Sequence, residues 1–164
     1  MKSAIGIDID ASPDLVFALA RDVERWSAML PHYVRSIAHD RDRLGRPLVR
    51  FVARRPLVPV LGLGLPVVWA SRCWADPATR RLRFEHIAGA TRGMHVTWRI
   101  EPRTGGCHVT IEHVFAPWIP GFAWIVDRWF TRPIAGRTLA TFKSIAEAVA
   151  STTSDSLAAT NPST

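Results

Sequence analysis

Ile5, Ile7 and Ile9 alternate with Gly6, Asp8 and Asp10, the two-residue period of a half-buried strand. Ser12-Pro13-Asp14 then marks a helix start, with a serine N-cap and proline at the first helical position. Leu15, Val16, Leu19, Ala20 and Val23 give that helix an apolar stripe up to Trp26, and Pro31 stops it. Two strands follow over 34–38 and 48–53, separated by the charged turn Asp40-Arg41-Asp42-Arg43 and Gly45. After an apolar run broken by Pro59, Gly62, Gly64 and Pro66 comes a ladder of strands over 67–75, 81–87, 93–101 and 107–115. Asp76-Pro77, Ala88-Gly89 and Arg103-Thr104-Gly105-Gly106 connect them, with the spacing and residue types of antiparallel hairpins.

From Trp118 the period changes. Residues 122–131 read as a short helix or lid, and Pro133 opens a long helix whose stripe is Ile134, Thr138, Phe142, Ile145 and Val149. Residues 151–164 are rich in Ser, Thr and Ala without periodicity, the pattern of a disordered tail. The order strand, helix, six strands, helix predicts an α+β fold forming one domain over 1–150. A curved antiparallel sheet wraps a long C-terminal helix and leaves an internal hydrophobic cavity beneath it.

Composition sharpens this picture. The 164 residues are 48% hydrophobic and 21% charged, enough for one domain with its own core and no need of a metal or disulfide staple. Seven tryptophans against a single tyrosine point to a large aromatic surface, in a core or a pocket. The net charge is +7, and all the cationic residues except Lys2 and Lys143 are arginines. They are scattered rather than run together, which predicts a solvated basic surface and no specific nucleic-acid footprint. Cys73 and Cys107 form no CxxC, which excludes a disulfide scaffold or a zinc knuckle and fits two reduced thiols in the cytoplasm. Asp8 and Asp10 come too early for a secretory signal, and the 57–71 apolar run is too broken to span a bilayer.

Strand parity selects the faces that would line the cavity. If Trp69 points inward, so do Ser71 and Cys73. Phe84 and His86 then share the inner face of the next strand, followed by Met94 and Trp98, and by Ile111, His113 and Phe115. Trp26 and Tyr33 from the first helix and its exit, Phe51 and the helical Phe142 complete the expected lining. Such a lining suits a large, mostly apolar ligand fixed by one or two hydrogen bonds. Tyr33, His86 and His113 are the candidates for chemistry. A neutral imidazole in an apolar pocket can take a proton beside a ketone; equally, each histidine reads as a buried side chain satisfied by a neighbouring hydroxyl. Cys73 reads as a small apolar filler. His108 and His113 lack the HExxH arrangement, and neither GxGxxG nor GxSxG occurs, so no metal, nucleotide or other cofactor is expected.

Three stretches carry a family resemblance over residues 4–150. They are Val16-Phe17 with Asp22-Val23-Glu24-Arg25-Trp26 and Leu30-Pro31-His32-Tyr33-Val34; Trp69-Ala70-Ser71 with Asp76-Pro77, Arg80 and Arg83-Phe84; and Gly93-Met94-His95-Val96-Thr97-Trp98 with Thr110-Ile111-Glu112-His113-Val114-Phe115. The chain resembles START-like (Bet v 1-like) helix-grip proteins, within them the polyketide cyclase/dehydrase group and the coenzyme Q-binding START-type proteins. The resemblance implies a cavity for a polyketide, quinone, isoprenoid or lipid. In the cyclases it also implies aldol cyclisation and dehydration of a carrier-bound chain, with an acidic acyl carrier protein at the basic rim. Trp26, Tyr33, Trp69 and Ser71 match the cyclase pattern, whereas Cys73 and His86 stand where inward arginines would be expected. The apolar 57–66 and 118–129 segments read either as a lid or membrane-dipping entrance, or as packing against the long helix or a dimer contact.

Overall fold

The computed structural model describes the backbone of residues 1–58 and 63–159, and the side chains of residues 1–54 and 66–153. Among the described residues seven strands form one antiparallel sheet: β1 (Lys2–Ile9), β2 (Tyr33–Arg41), β3 (Pro47–Val58), β4 (Leu63–Asp76), β5 (Arg81–Gly89), β6 (His95–Arg103) and β7 (Gly106–Val114). Their order is β1-β7-β6-β5-β4-β3-β2, so the ladder is a meander except that β1 returns to pair with β7. Between β1 and β2 lie α1 (Pro13–Arg21), a 3₁₀ turn (Val23–Arg25) and the single-turn α2 (Trp26–Met29). After β7 come α3 (Phe122–Val126), a π-helical turn (Asp127–Thr131) and α4 (Arg132–Ala159).

Local chemistry explains the start of α1. The Ser12 hydroxyl accepts from the Leu15 backbone N–H at 3.2 Å, and Pro13 occupies the first turn, where no N–H donor is needed. Val16, Phe17 and Ala20 form its buried face. The curvature of the sheet has visible sources in register shifts within β2–β3, at Pro56/Val58 and at Ala70/Ser71, since a bulge bends its strand and increases the twist. At the Ala70/Ser71 bulge Gly89 has φ +92 and lies opposite Trp69. A Cβ there would stand 2.5 Å from the Val68 carbonyl oxygen, so the close approach of β5 to β4 requires glycine.

The concave face carries the expected parity. Cys73, Leu82, Phe84, Val96, Trp98, Ile100, Val109 and Ile111 are buried with their neighbours across the sheet, and α4 closes the concavity with Ala135, Leu139, Phe142 and Ala146. Trp26 is the hub of this core. Its indole N–H donates to the Ala20 carbonyl at 3.0 Å, and its ring lies 5.4–5.9 Å from those of Tyr33, Phe51, Phe84, Trp98 and Phe142. Together these features are the helix-grip architecture.

Both boundaries of the last helix differ from the sequence reading. The last helix begins at Arg132, directly continuing the π-helical turn, and it runs on to Ala159 through residues read as an aperiodic tail. Ser151, Thr152 and Thr153 turn their hydroxyls back onto the carbonyls of Ala148 and Val149, a local bond that lets hydroxyl residues sit on a helix without an apolar stripe. Residues 160–164 lie outside the described residues, as do the side chains of 57–65 in the first expected entrance segment.

Candidate functional site

A cavity opens between the concave sheet and α4, with about 640 Å³ of empty space including its mouth. The part wide enough for the centre of a water molecule is about 90 Å³. Trp26, Tyr33, Phe51, Trp69, Phe84, His86, Met94, Trp98, Ile111 and His113 from the sequence reading all border it. Ser71, Cys73, Phe115 and Phe142, expected on the wall, lie buried in the core beside it. Taller rings account for this on β4. Trp69 stacks on Phe51 at 5.3 Å and on His86 at 5.8 Å, and these rings take up the wall that the shorter Ser71 and Cys73 side chains do not reach. Phe142 is occupied by Trp26 and Trp98, and Phe115 by Phe122.

The polar groups in the wall and directly behind it fall into two sets. On the sheet side, His86 Nδ1 lies 2.6 Å from the Thr91 hydroxyl, so Nε2 is the nitrogen left for a ligand. His113 lies on β7 opposite Val96 and Ser3, and its Nδ1 is buried with no partner among the described residues. Burial lowers the His86 pKa to about 3, helped by the neighbouring His113 and His95, and lowers that of His113 to about 4 against the opposing pull of Asp127. Both imidazoles are therefore neutral around pH 7.

The second set joins α4 to the segment after α2. His32 Nε2 lies 2.8 Å from the Thr138 hydroxyl, which donates to the Ile134 carbonyl at 2.8 Å. With its one proton used there, Thr138 accepts from His32, which places the imidazole proton on Nε2 and leaves the buried Nδ1 without a partner. Burial and, secondarily, the charge of Arg137 lower the His32 pKa to about 4. Tyr33 is buried beside the same threonine, and burial pushes its pKa well above 10. Tyr33 thus stays protonated and can act as a donor. Burial likewise pushes the Cys73 thiol up to about 12, which suits a filler and not a nucleophile.

Below the cavity, Asp127 anchors the π-helical turn. It accepts from the Ser3 hydroxyl at 2.7 Å and from Arg132 Nε at 2.8 Å. Burial pushes its carboxyl up, but these hydrogen bonds outweigh it and hold the pKa below the ordinary value. The turn contributes Phe130 and Thr131 to the wall, followed by Ile134, Ala135 and Thr138 of α4. None of these, nor Thr91 and His32, stood among the candidate site residues. The Ile134–Thr138–Phe142 spacing already marked one face of α4, and that face borders the cavity at its first two positions. Thr91 gave no signal, because its role depends on a hairpin folding it back onto His86. Among the described residues no group of three His, Cys, Asp or Glu side chains could hold a metal ion, and no helix is long and apolar enough to cross a membrane.

Comparison with known proteins gives the setting of this site. The sequence pattern of the family described as "Polyketide cyclase / dehydrase and lipid transport" matches residues 3–149. No curated protein sequence matches the chain. Among solved structures, the Zhui aromatase/cyclase from Streptomyces sp. R1128 is similar over 90% of this chain and 93% of its own, with a TM-score of 0.71 and 18% identity. The di-domain aromatase/cyclase BexL from the BE-7585A biosynthetic pathway is 27% identical over 88% of this chain, which corresponds to 45% of BexL, with a TM-score of 0.67. A START superfamily protein from Mycobacterium smegmatis is similar over 92% of this chain and 97% of its own, with a TM-score of 0.61 and 16% identity.

Proposed function

The chain belongs to the polyketide cyclase/dehydrase and lipid transport family, and on that premise we propose that it binds and shields a hydrophobic small molecule carrying a carbonyl or hydroxyl group. The observation that carries this reading is the wall itself, in which aromatic and aliphatic side chains surround a few oriented polar groups. Polyketides, quinones, isoprenoids and acyl lipids all share that combination of apolar body and sparse oxygen atoms. Neutral His86 and protonated Tyr33 supply hydrogen bonds to such oxygens without bringing a charge into the cavity.

The protonation chemistry favours binding over proton abstraction. A general base works best with a pKa near the operating pH, and His86 and His113 sit near 3 and 4. The alternative reading is an aromatase/cyclase acting on a carrier-bound chain, which the likeness to BexL supports. There, aldol closure would move one proton from carbon to the carbonyl oxygen and dehydration would release one water, with Tyr33, His86 and His113 handling the protons.

Native mass spectrometry of freshly purified protein, followed by extraction and identification of bound molecules, tests the binding reading. A co-purifying quinone, isoprenoid or lipid, displaced on titration with an apolar competitor, is the expected result. Failure of the full chain to retain any of these ligands, or to take up the apolar dye 1-anilinonaphthalene-8-sulfonate, overturns it. Product formation separates the two readings: under the cyclase reading the wild type converts a carrier-bound polyketide and the variant carrying His86→Gln and His113→Gln does not, whereas under the binding reading neither forms product.

A further inference from the structure

The segment between β7 and α4 presents five large apolar side chains to solvent: Trp118, Ile119, Trp124, Ile125 and Trp129. Trp118 is 91% exposed and Trp124 66%. Isolated exposed apolar residues are ordinary, but five within twelve positions of one segment form a patch of the kind that marks an interaction face. The segment is nonetheless well anchored. Val126 is buried, Phe122 packs on Phe115 at 6.4 Å, and Asp127 ties the π-helical turn to Ser3 and Arg132.

Along the 113–146 stretch that holds the patch, cationic residues outnumber the single acidic one. Asp127 is the only acidic residue between Glu112 and Glu147, and its carboxylate is held by Ser3 and Arg132. Arg128, Arg132 and Arg137 in the same stretch are all exposed. We propose that this face, formed by the 118–121 loop, α3 and the π-helical turn, is a docking surface for an anionic lipid bilayer. Tryptophan is the side chain best suited to the headgroup boundary, being apolar in body and polar at its N–H, and the arginines supply attraction to acidic headgroups.

The charge pattern also discriminates against a second copy of this chain. A two-fold dimer sets the same patch against itself, which would bring Arg128 of both copies together, while the only acidic side chain of this stretch, Asp127, is already engaged by Ser3 and Arg132. An acidic bilayer meets the apolar and the cationic halves of the patch at once. The surface is continuous with the ligand site, because the turn that presents Trp129 outward also lends Phe130 and Thr131 to the cavity wall. Docking would therefore act directly on the cavity wall, and a π-helical turn at this junction is a usual place for such a functional irregularity.

The test is co-sedimentation of the full chain with phosphatidylcholine vesicles and with mixed phosphatidylcholine–phosphatidylglycerol vesicles at low and raised salt. Binding to the mixed vesicles, weaker to phosphatidylcholine alone and reduced by salt, is expected. Replacing both Trp118→Ser and Trp124→Ser should weaken that binding at least about tenfold, and Arg128→Glu should weaken it on mixed vesicles only. Both variants should keep the wild-type melting temperature, since these side chains are exposed. Absence of wild-type binding to mixed vesicles at low salt overturns the proposal, as does unchanged binding by the double tryptophan variant. A dimer detected by light scattering that dissociates in that variant, without vesicle binding, would assign the face to a second copy instead. Uptake of 1-anilinonaphthalene-8-sulfonate by the same variant reports on the cavity separately, so membrane docking and ligand binding can fail independently.

Discussion

His32 and Thr138 meet at 2.8 Å across 106 positions of chain, joining the exit of α2 to the first half of the helix that closes the cavity. The contact is buried and directional: Thr138 accepts from His32 and donates to Ile134 of its own helix. Thr138→Val keeps the shape and removes the acceptor, leaving the buried His32 N–H without its partner. Orphaning a buried polar group costs about 1–3 kcal/mol. The variant should lose that much in urea unfolding, whereas Thr138→Ser, which keeps the hydroxyl, should lose clearly less. Equal stability of Thr138→Val and wild type would show that the pair holds nothing together.

Two buried histidines and the half-buried His86 make stability pH-dependent in a defined window. His32, His86 and His113 have folded-state pKa values of about 4, 3 and 4, against an ordinary value of 6.5. Below 6.5 the unfolded chain therefore binds protons that the folded chain does not. The stability they contribute is fully present above that pH and is lost as pH falls toward the folded values. One such histidine gives a slope of about 1.4 kcal/mol per pH unit. Urea unfolding at pH 7, 6 and 5 should show stability falling through this range, before the carboxylates titrate. His113→Asn should flatten the slope. A stability that stays level from pH 7 to pH 5 would mean that these imidazoles are solvated in the folded protein.

Much of this was legible because strand parity is a strong constraint. Once Trp69 points inward, the alternation fixes Phe84, Met94, Trp98 and Ile111, and a one-residue error would expose all of them. The wall contributed by residues 130–138 was harder to read. A π-helical turn shifts the helical phase by one residue, so a stripe counted with a uniform 3.6-residue period does not extend back from Ile134 to Phe130. Polar partners such as His32–Thr138 and His86–Thr91 depend on which elements meet, and no local pattern encodes that. Ser71 and Cys73 share the right face, but parity gives direction and not reach.

Gly89 sets the course of β5 beside Trp69. Its φ of +92 and the 2.5 Å that would separate a Cβ from the Val68 carbonyl oxygen leave no room for a side chain. Gly89→Ala must either strain the backbone by about 1–3 kcal/mol or push β4 and β5 apart at the bulge. The second response would move Trp69, and with it the stack on His86. Lowered stability together with weaker uptake of 1-anilinonaphthalene-8-sulfonate is expected. Wild-type values for both would mean that the two strands are not held at this distance.

The cavity itself can be tested by filling it. Ala135 and Ala146 both lie on the buried side of α4, but Ala135 borders the cavity and Ala146 is packed on all sides. Adding a large side chain to a filled core costs about 1–3 kcal/mol or more through forced rotamers and backbone shifts. The same addition beside empty space recovers dispersion contacts that the wall now lacks. Ala146→Phe should therefore lower the urea midpoint markedly, while Ala135→Phe should leave it near wild type. Only Ala135→Phe should do so while abolishing dye uptake and ligand retention in native mass spectra. If the two substitutions destabilise equally, the space under α4 is closed in solution, and the bound molecule must be sought elsewhere on the protein.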